Sequence, residues 1–112
     1  MRLDHYTLVF LVANPEVTRA ADEESEVQDR HMAHLAALHD EGVLIVAGPC
    51  IDERIRGVCV FTTDVAESLA RLEADPAVRA GWFTLEAMAW MVPENSLLPS
   101  ATRFPTSMAQ VQ

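Results

Sequence analysis

His31 and Asp75 are the residues with which this chain could most simply move a proton. Val27, His31, Leu35 and Leu38 recur at i, i+4, i+8 and i+11, so they lie along one stripe of a helix. Such a stripe faces a core, and an imidazole placed there loses its water unless a partner replaces it. A carboxylate partner would fix the ring tautomer and stabilise the imidazolium, which is the arrangement of a general acid or base. Asp75 is the candidate carboxylate, at a helix break forced by Pro76. The plain structural readings of the same residues are a core histidine satisfied by a backbone carbonyl and a turn or capping aspartate.

The other polar candidates are weaker. His34 lies one turn from His31, and histidines at i and i+3 can share a metal, but no third ligand has the needed offset, so no metal site is expected. His34 and His5, the latter on an N-terminal strand, are candidates for lining a substrate cavity beside His31. Gly48 ends an apolar strand just before Pro49 and Cys50, where a ligand could reach the backbone. Cys50 and Cys59 show neither C-x-x-C nor zinc spacing, so they read as small core residues in a reducing compartment. No G-x-G-x-x-G, phosphate-binding loop or G-x-S-x-G is present, which leaves nucleotide binding and serine hydrolysis unsupported.

These residues need a scaffold, and the chain supplies one domain's worth. It has 112 residues, half of them apolar. Eight basic against 17 acidic residues give a formal charge of -9, which opposes nucleic acid and anionic membrane surfaces as partners. No apolar run approaches the roughly 20 residues of a membrane span, and the N-terminus lacks signal-peptide features. A cytoplasmic protein is expected.

Residues 3–12 are rich in strand formers, with Val9 and Leu11 on one face and Leu8, Phe10 and Val12 on the other. A helix is expected over 23–41, with acidic residues at its start and Gly42 at its stop. Strands follow at 43–48 and 57–63. Thr63 or Asp64 caps a second helix whose stripe is Val65, Leu69 and Leu72. The last strand spans 82–92 and alternates clearly. The order β-α-β-β-α-β predicts an α+β, ferredoxin-like fold: an antiparallel sheet with both helices on one face. Trp90 and Met88 would remain on the other face, which predicts a homodimer packed sheet to sheet. Residues 1–93 form the expected domain. Residues 94–112 form an extended C-terminal segment, with Leu97, Leu98 and Phe104 available to anchor it on a neighbouring subunit.

The set "LHDEGVLIVAGP" and "LEADPAVRAG", following a histidine on the first helix, resembles the YCII-related (YciI-like) family over residues 1 to 93. The resemblance implies a ferredoxin-like domain that dimerises into an α/β barrel. The family's histidine stands eleven residues before the helix-ending glycine, which is His31, and its aspartate-proline is Asp75-Pro76. That His–Asp pair is the implied active site, and the family includes a dehydrochlorinase acting on a hydroxylated chloroaromatic. Gln28 stands where an arginine is frequent, with Arg30 beside His31 as the nearest cationic candidate for substrate binding; Met32 and Ala77 are further departures.

The expected function is therefore acid–base catalysis on a small cyclic or aromatic metabolite, by elimination, isomerisation or hydrolysis, with no cofactor demanded. Two other functions fit the same cavity: a non-catalytic metabolite-binding dimer, and a cofactor-free oxygenase.

Overall fold

A computed structural model describes residues 1–98 and 101–111. The elements are β1 (Leu3–Ala13), α1 (Ala21–Asp40), β2 (Leu44–Pro49), β3 (Ile55–Phe61), α2 (Val65–Glu73), α3 (Pro76–Arg79) and β4 (Phe83–Pro93), followed by a 3-10 turn at Met108–Gln110. The strands form one antiparallel sheet in the order β2-β3-β1-β4. The fold is thus α+β and ferredoxin-like, with β1 and β3 in the middle of the sheet.

Alternation along the strands builds the core. Val9, Leu11, Cys59, Phe61 and Phe83 turn inward and pack against Leu38 of α1, Leu72 of α2 and Ala77 of α3. Thr7 is buried with them, and its hydroxyl donates to the Thr63 carbonyl at 2.7 Å, so the buried polar group is satisfied. On α1, Asp22, Glu23 and Glu24 in the first turn meet the positive end of the helix dipole. Gly42, at φ +81°, ends α1. Its N–H donates to the His39 carbonyl at 3.0 Å and that of Val43 to Leu38 at 3.2 Å, the paired bonds of a Schellman stop. Asp64 caps α2 by accepting from the Glu67 N–H at 2.8 Å.

The element ends fall within two residues of the expected ones, and two differences bear on the site. The third strand starts at Ile55 and ends at Phe61, because the Thr62 hydroxyl and the Thr63 carbonyl are taken up in turning the chain toward α2. Asp75-Pro76 does more than break a helix. It opens the separate short helix α3, with Asp75 as N-cap and Pro76 in its first turn, where a missing N–H costs nothing.

The opposite face of the sheet carries Tyr6, Leu8, Phe10, Val58, Val60, Met88 and Trp90 in adjacent register: Tyr6 opposite Trp90, Leu8 opposite Met88 and Val60, Phe10 opposite Val58. Met88 is 51 % exposed and Trp90 37 %. Among the described residues no helix is long and apolar enough to cross a membrane. Of the C-terminal segment expected over 94–112, positions 99, 100 and 112 lie outside the described residues. Phe104 packs against the core of its own chain.

Leu72 is fully buried at the meeting of α2 with the sheet. Leu72→Ala is expected to cost about 2–5 kcal/mol of unfolding free energy, read as a lower urea midpoint with an unchanged slope.

Candidate active site

The core stripe of α1 turns His31 inward, where it is 7 % exposed. Asp75 reaches it from the start of α3 and is 0 % exposed. His31 Nδ1 lies 2.8 Å from Asp75 Oδ2 and 2.9 Å from Oδ1. Oδ2 also accepts the backbone N–H groups of Ala77 at 3.0 Å and Val78 at 3.2 Å. A carboxylate that receives two amide donors in this way has only acceptor sites to offer, so Nδ1 carries the proton and donates. The capping bonds fix the carboxylate, the carboxylate fixes the ring, and Nε2 becomes the basic nitrogen.

Nε2 belongs to a cavity. Among the described residues no protein group hydrogen-bonds it, and no buried side-chain nitrogen is left unsatisfied, so Nε2 is open to the space that His31 lines. That space has a volume of about 460 Å³, within the range of small-molecule sites (about 300–1,000 Å³). Its walls include Leu11, Met32, Leu35, Val58, Cys59 and Phe83. The Phe83 ring lies 6.0 Å from that of His31, tilted by 49°. Two arginines, Arg19 and Arg56, also line it. Arg19 is held over the Trp82 ring at 4.0 Å and pairs with Glu24 at 3.5 Å, while Arg56 donates to the Asp52 carbonyl. Burial pushes the Cys59 thiol up to about 12, with the nearby Asp75 charge acting in the same direction.

The remaining sequence candidates divide. Gly48 lines the cavity. His5 is exposed on β1 opposite Met91 and is absent from the cavity wall, because its strand position lies toward the far end of the sheet. Arg30 points to solvent and pairs with Glu26 at 2.6 Å, one helical turn back. His34 Nε2 donates to the Arg71 carbonyl at 2.8 Å, and Arg71 itself pairs with Glu41 at 2.8 Å, so His34 ties α1 to α2 outside the cavity. Cationic charge at the site therefore comes from Arg19 and Arg56, neither of which the sequence reading singled out. Their signal in the sequence is faint: Arg19 lies in the stretch before α1, and Arg56 falls just before the strand expected at 57–63, although it stands on β3. No group of three or more histidine, cysteine, aspartate or glutamate side chains that could hold a metal ion is found among the described residues.

Comparison with known proteins agrees with this architecture. Residues 6–90 match the YCII-related domain. This chain belongs to the YCII-related family. It is 32% identical over 84 residues to protein YciI of Escherichia coli, an alignment that covers 66% of this chain and 86% of that protein. Among solved structures it is similar to 5-chloro-2-hydroxyhydroquinone dehydrochlorinase from Burkholderia phenoliruptrix in complex with 2,5-dihydroxybenzoquinone. That likeness has a TM-score of 0.52 and 21% identity, and covers 76% of this chain and 92% of the other. A looser likeness, with a TM-score of 0.45 and 17% identity over 87% of this chain and 99% of the other, is to SnoaB, a cofactor-independent oxygenase from Streptomyces nogalater.

Two outcomes are expected. Asp75→Ala strands a buried imidazole and two helix N–H groups, and should cost about 3–5 kcal/mol in chemical denaturation, whereas Asp75→Asn keeps the cap and should cost less. Burial and the raised thiol leave Cys59 almost no thiolate at pH 8, so iodoacetamide should label Cys50 and spare Cys59 in the folded protein, as read by peptide mass spectrometry.

Proposed function

We propose that this protein is a small-molecule enzyme that uses His31 as general base and acid, positioned by Asp75. The observation that carries the proposal is the pairing of a buried imidazole with a fully buried carboxylate, which leaves Nε2 to a largely apolar cavity with two arginines in its wall. A buried histidine–carboxylate pair is a poor way to gain stability, since well-packed hydrophobic residues do as well or better. Such a pair at a cavity wall is instead a means of transferring a proton.

Nε2 would take a proton from a substrate O–H or C–H bond, or from a water molecule. Nδ1–H stays on Asp75, whose negative charge stabilises the imidazolium as it forms. Return of the same proton to a leaving group or to a neighbouring carbon completes an elimination or an isomerisation; attack by the activated water completes a hydrolysis. The cavity suits a single ring in size, and Phe83 offers it an aromatic wall. Arg19 and Arg56 favour a substrate with an acidic oxygen, such as a phenol or enol. A hydroxylated aromatic or quinone is therefore the substrate class, in keeping with the ligand held by the structurally similar dehydrochlorinase.

The same proposal includes a homodimer in the cytoplasm, with residues 1–93 as the catalytic domain. The apolar outer sheet face is the surface a second copy would cover, and two free thiols suit a reducing compartment.

Against a panel of hydroxylated aromatics beginning with 5-chloro-2-hydroxyhydroquinone, His31→Ala and Asp75→Asn are expected to keep the fold and lower kcat by about 10²–10⁴-fold. Full activity in His31→Ala would overturn the mechanism. Light scattering should give twice the chain mass of 12.4 kDa, and Leu8→Arg in the middle of the outer face should give the monomer.

A further inference from the structure

The cavity is not closed by the family-matched part of the chain alone. Residues 6–90 carry that match, yet Phe104, Pro105, Met108 and Val111 also stand in the cavity wall. They come from a segment that crosses α1 and meets it at two positions, His39 and Asp29. The Phe104 ring stacks on His39, with centroids 4.0 Å apart and planes 11° from parallel. His39 Nε2 lies 3.1 Å from the Thr102 carbonyl. The Met108 N–H donates to Asp29 Oδ1 at 2.9 Å. Between the anchors, Pro105 restricts the backbone and so reduces the entropy lost on docking.

We infer that the C-terminal segment is the outer wall of the binding cavity, and that Phe104 and Met108 set the size of the ring this chain admits. The inference rests on the cavity being the substrate site. A wall there does two things for the chemistry. It excludes water from the neighbourhood of Nε2, which strengthens the electrostatic interactions inside. It also places the Phe104 ring and the half-exposed Met108 side chain at the edge of the cavity that His31 lines. Methionine fills irregular space without a fixed shape, so Met108 is suited to sort ligands by bulk. The anchors, Asp29 and His39, are half-buried positions of α1 that make no hydrogen bond to His31 or Asp75, so the segment can change without disturbing the His–Asp pair.

The first measurement needs no ligand. In the intact chain the Met108 amide should be protected from hydrogen exchange, and the His39 and Phe104 rings should show mutual nuclear Overhauser effects. Both should be lost in Phe104→Ala, and the amide protection alone in Asp29→Ala. An unprotected Met108 amide in the intact chain would overturn the wall. The second measurement compares 2,5-dihydroxybenzoquinone with the two-ring 2-hydroxy-1,4-naphthoquinone by calorimetry. Met108→Ala should move the affinity ratio toward the larger ligand by about tenfold. Binding of both by the parent chain with an unmoved ratio would overturn the role in size selection. If the parent chain binds neither, the substrate assignment fails and the size-selection role fails with it, while the exchange data still decide whether the wall exists.

Discussion

The buried contact between His31 and Asp75 is the constraint to which the rest of the molecule answers. A carboxylate with no exposed surface must be met by donors, and the structure supplies three: two backbone amides at the start of α3 and one imidazole from α1. Supplying them dictates where α1 runs, because its core stripe must carry a ring at one position and leucine at the next two. It dictates why the chain after α2 breaks and restarts, since only a fresh helix start offers a pair of free N–H groups beside a proline. It also dictates a tautomer, and so which nitrogen meets the cavity.

Much of this was legible in the residues themselves. The stripe through Val27, His31, Leu35 and Leu38 has the period of a helix, and Asp75-Pro76 is a strong punctuation mark; local rules of that kind survive folding. The order of strands and helices along the chain follows from the alternation of periods. What failed were inferences from closeness in sequence. Arg30 is adjacent to His31, but neighbours on a helix point about 100° apart, so the guanidinium goes to solvent and to Glu26. His34 is one turn away, on the flank that meets α2 and not on the cavity side. His5 has the right chemistry on the wrong stretch of strand. Conversely, Arg19 and Arg56 come from a loop and an edge-flanking strand that meet only in three dimensions, and no spacing rule could pair them with His31. The C-terminal segment is legible as an extended stretch with Phe104 as an anchor, but its docking on its own chain is not, because it has no period and its partners lie more than sixty residues away.

The charge distribution fits this layout. The chain is strongly acidic, with a formal charge of -9, yet two of its eight basic residues are collected at the largely apolar cavity beside the imidazole. Acidic groups instead crowd the first turn of α1 and the exposed surface, where they help the helix dipole and keep the surface hydrated. The arginine stacked on Trp82 is held in place by an aromatic face, which positions its charge while leaving part of its fork of N–H donors unspent.

Strand β3 serves both sides of the sheet at once. Gly57, Cys59 and Phe61 turn toward the helices, and at Gly57 even a methyl group would come within 3.1 Å of a Leu11 side-chain carbon. Val58 and Val60 turn the other way, onto the apolar outer surface. A five-residue ribbon with no idle side leaves mutation almost nowhere to settle, so variation in this chain should drift toward its margins, the loop ahead of α1 and the last dozen positions, where the selectivity of the pocket can be revised while the middle of the sheet stays as it is.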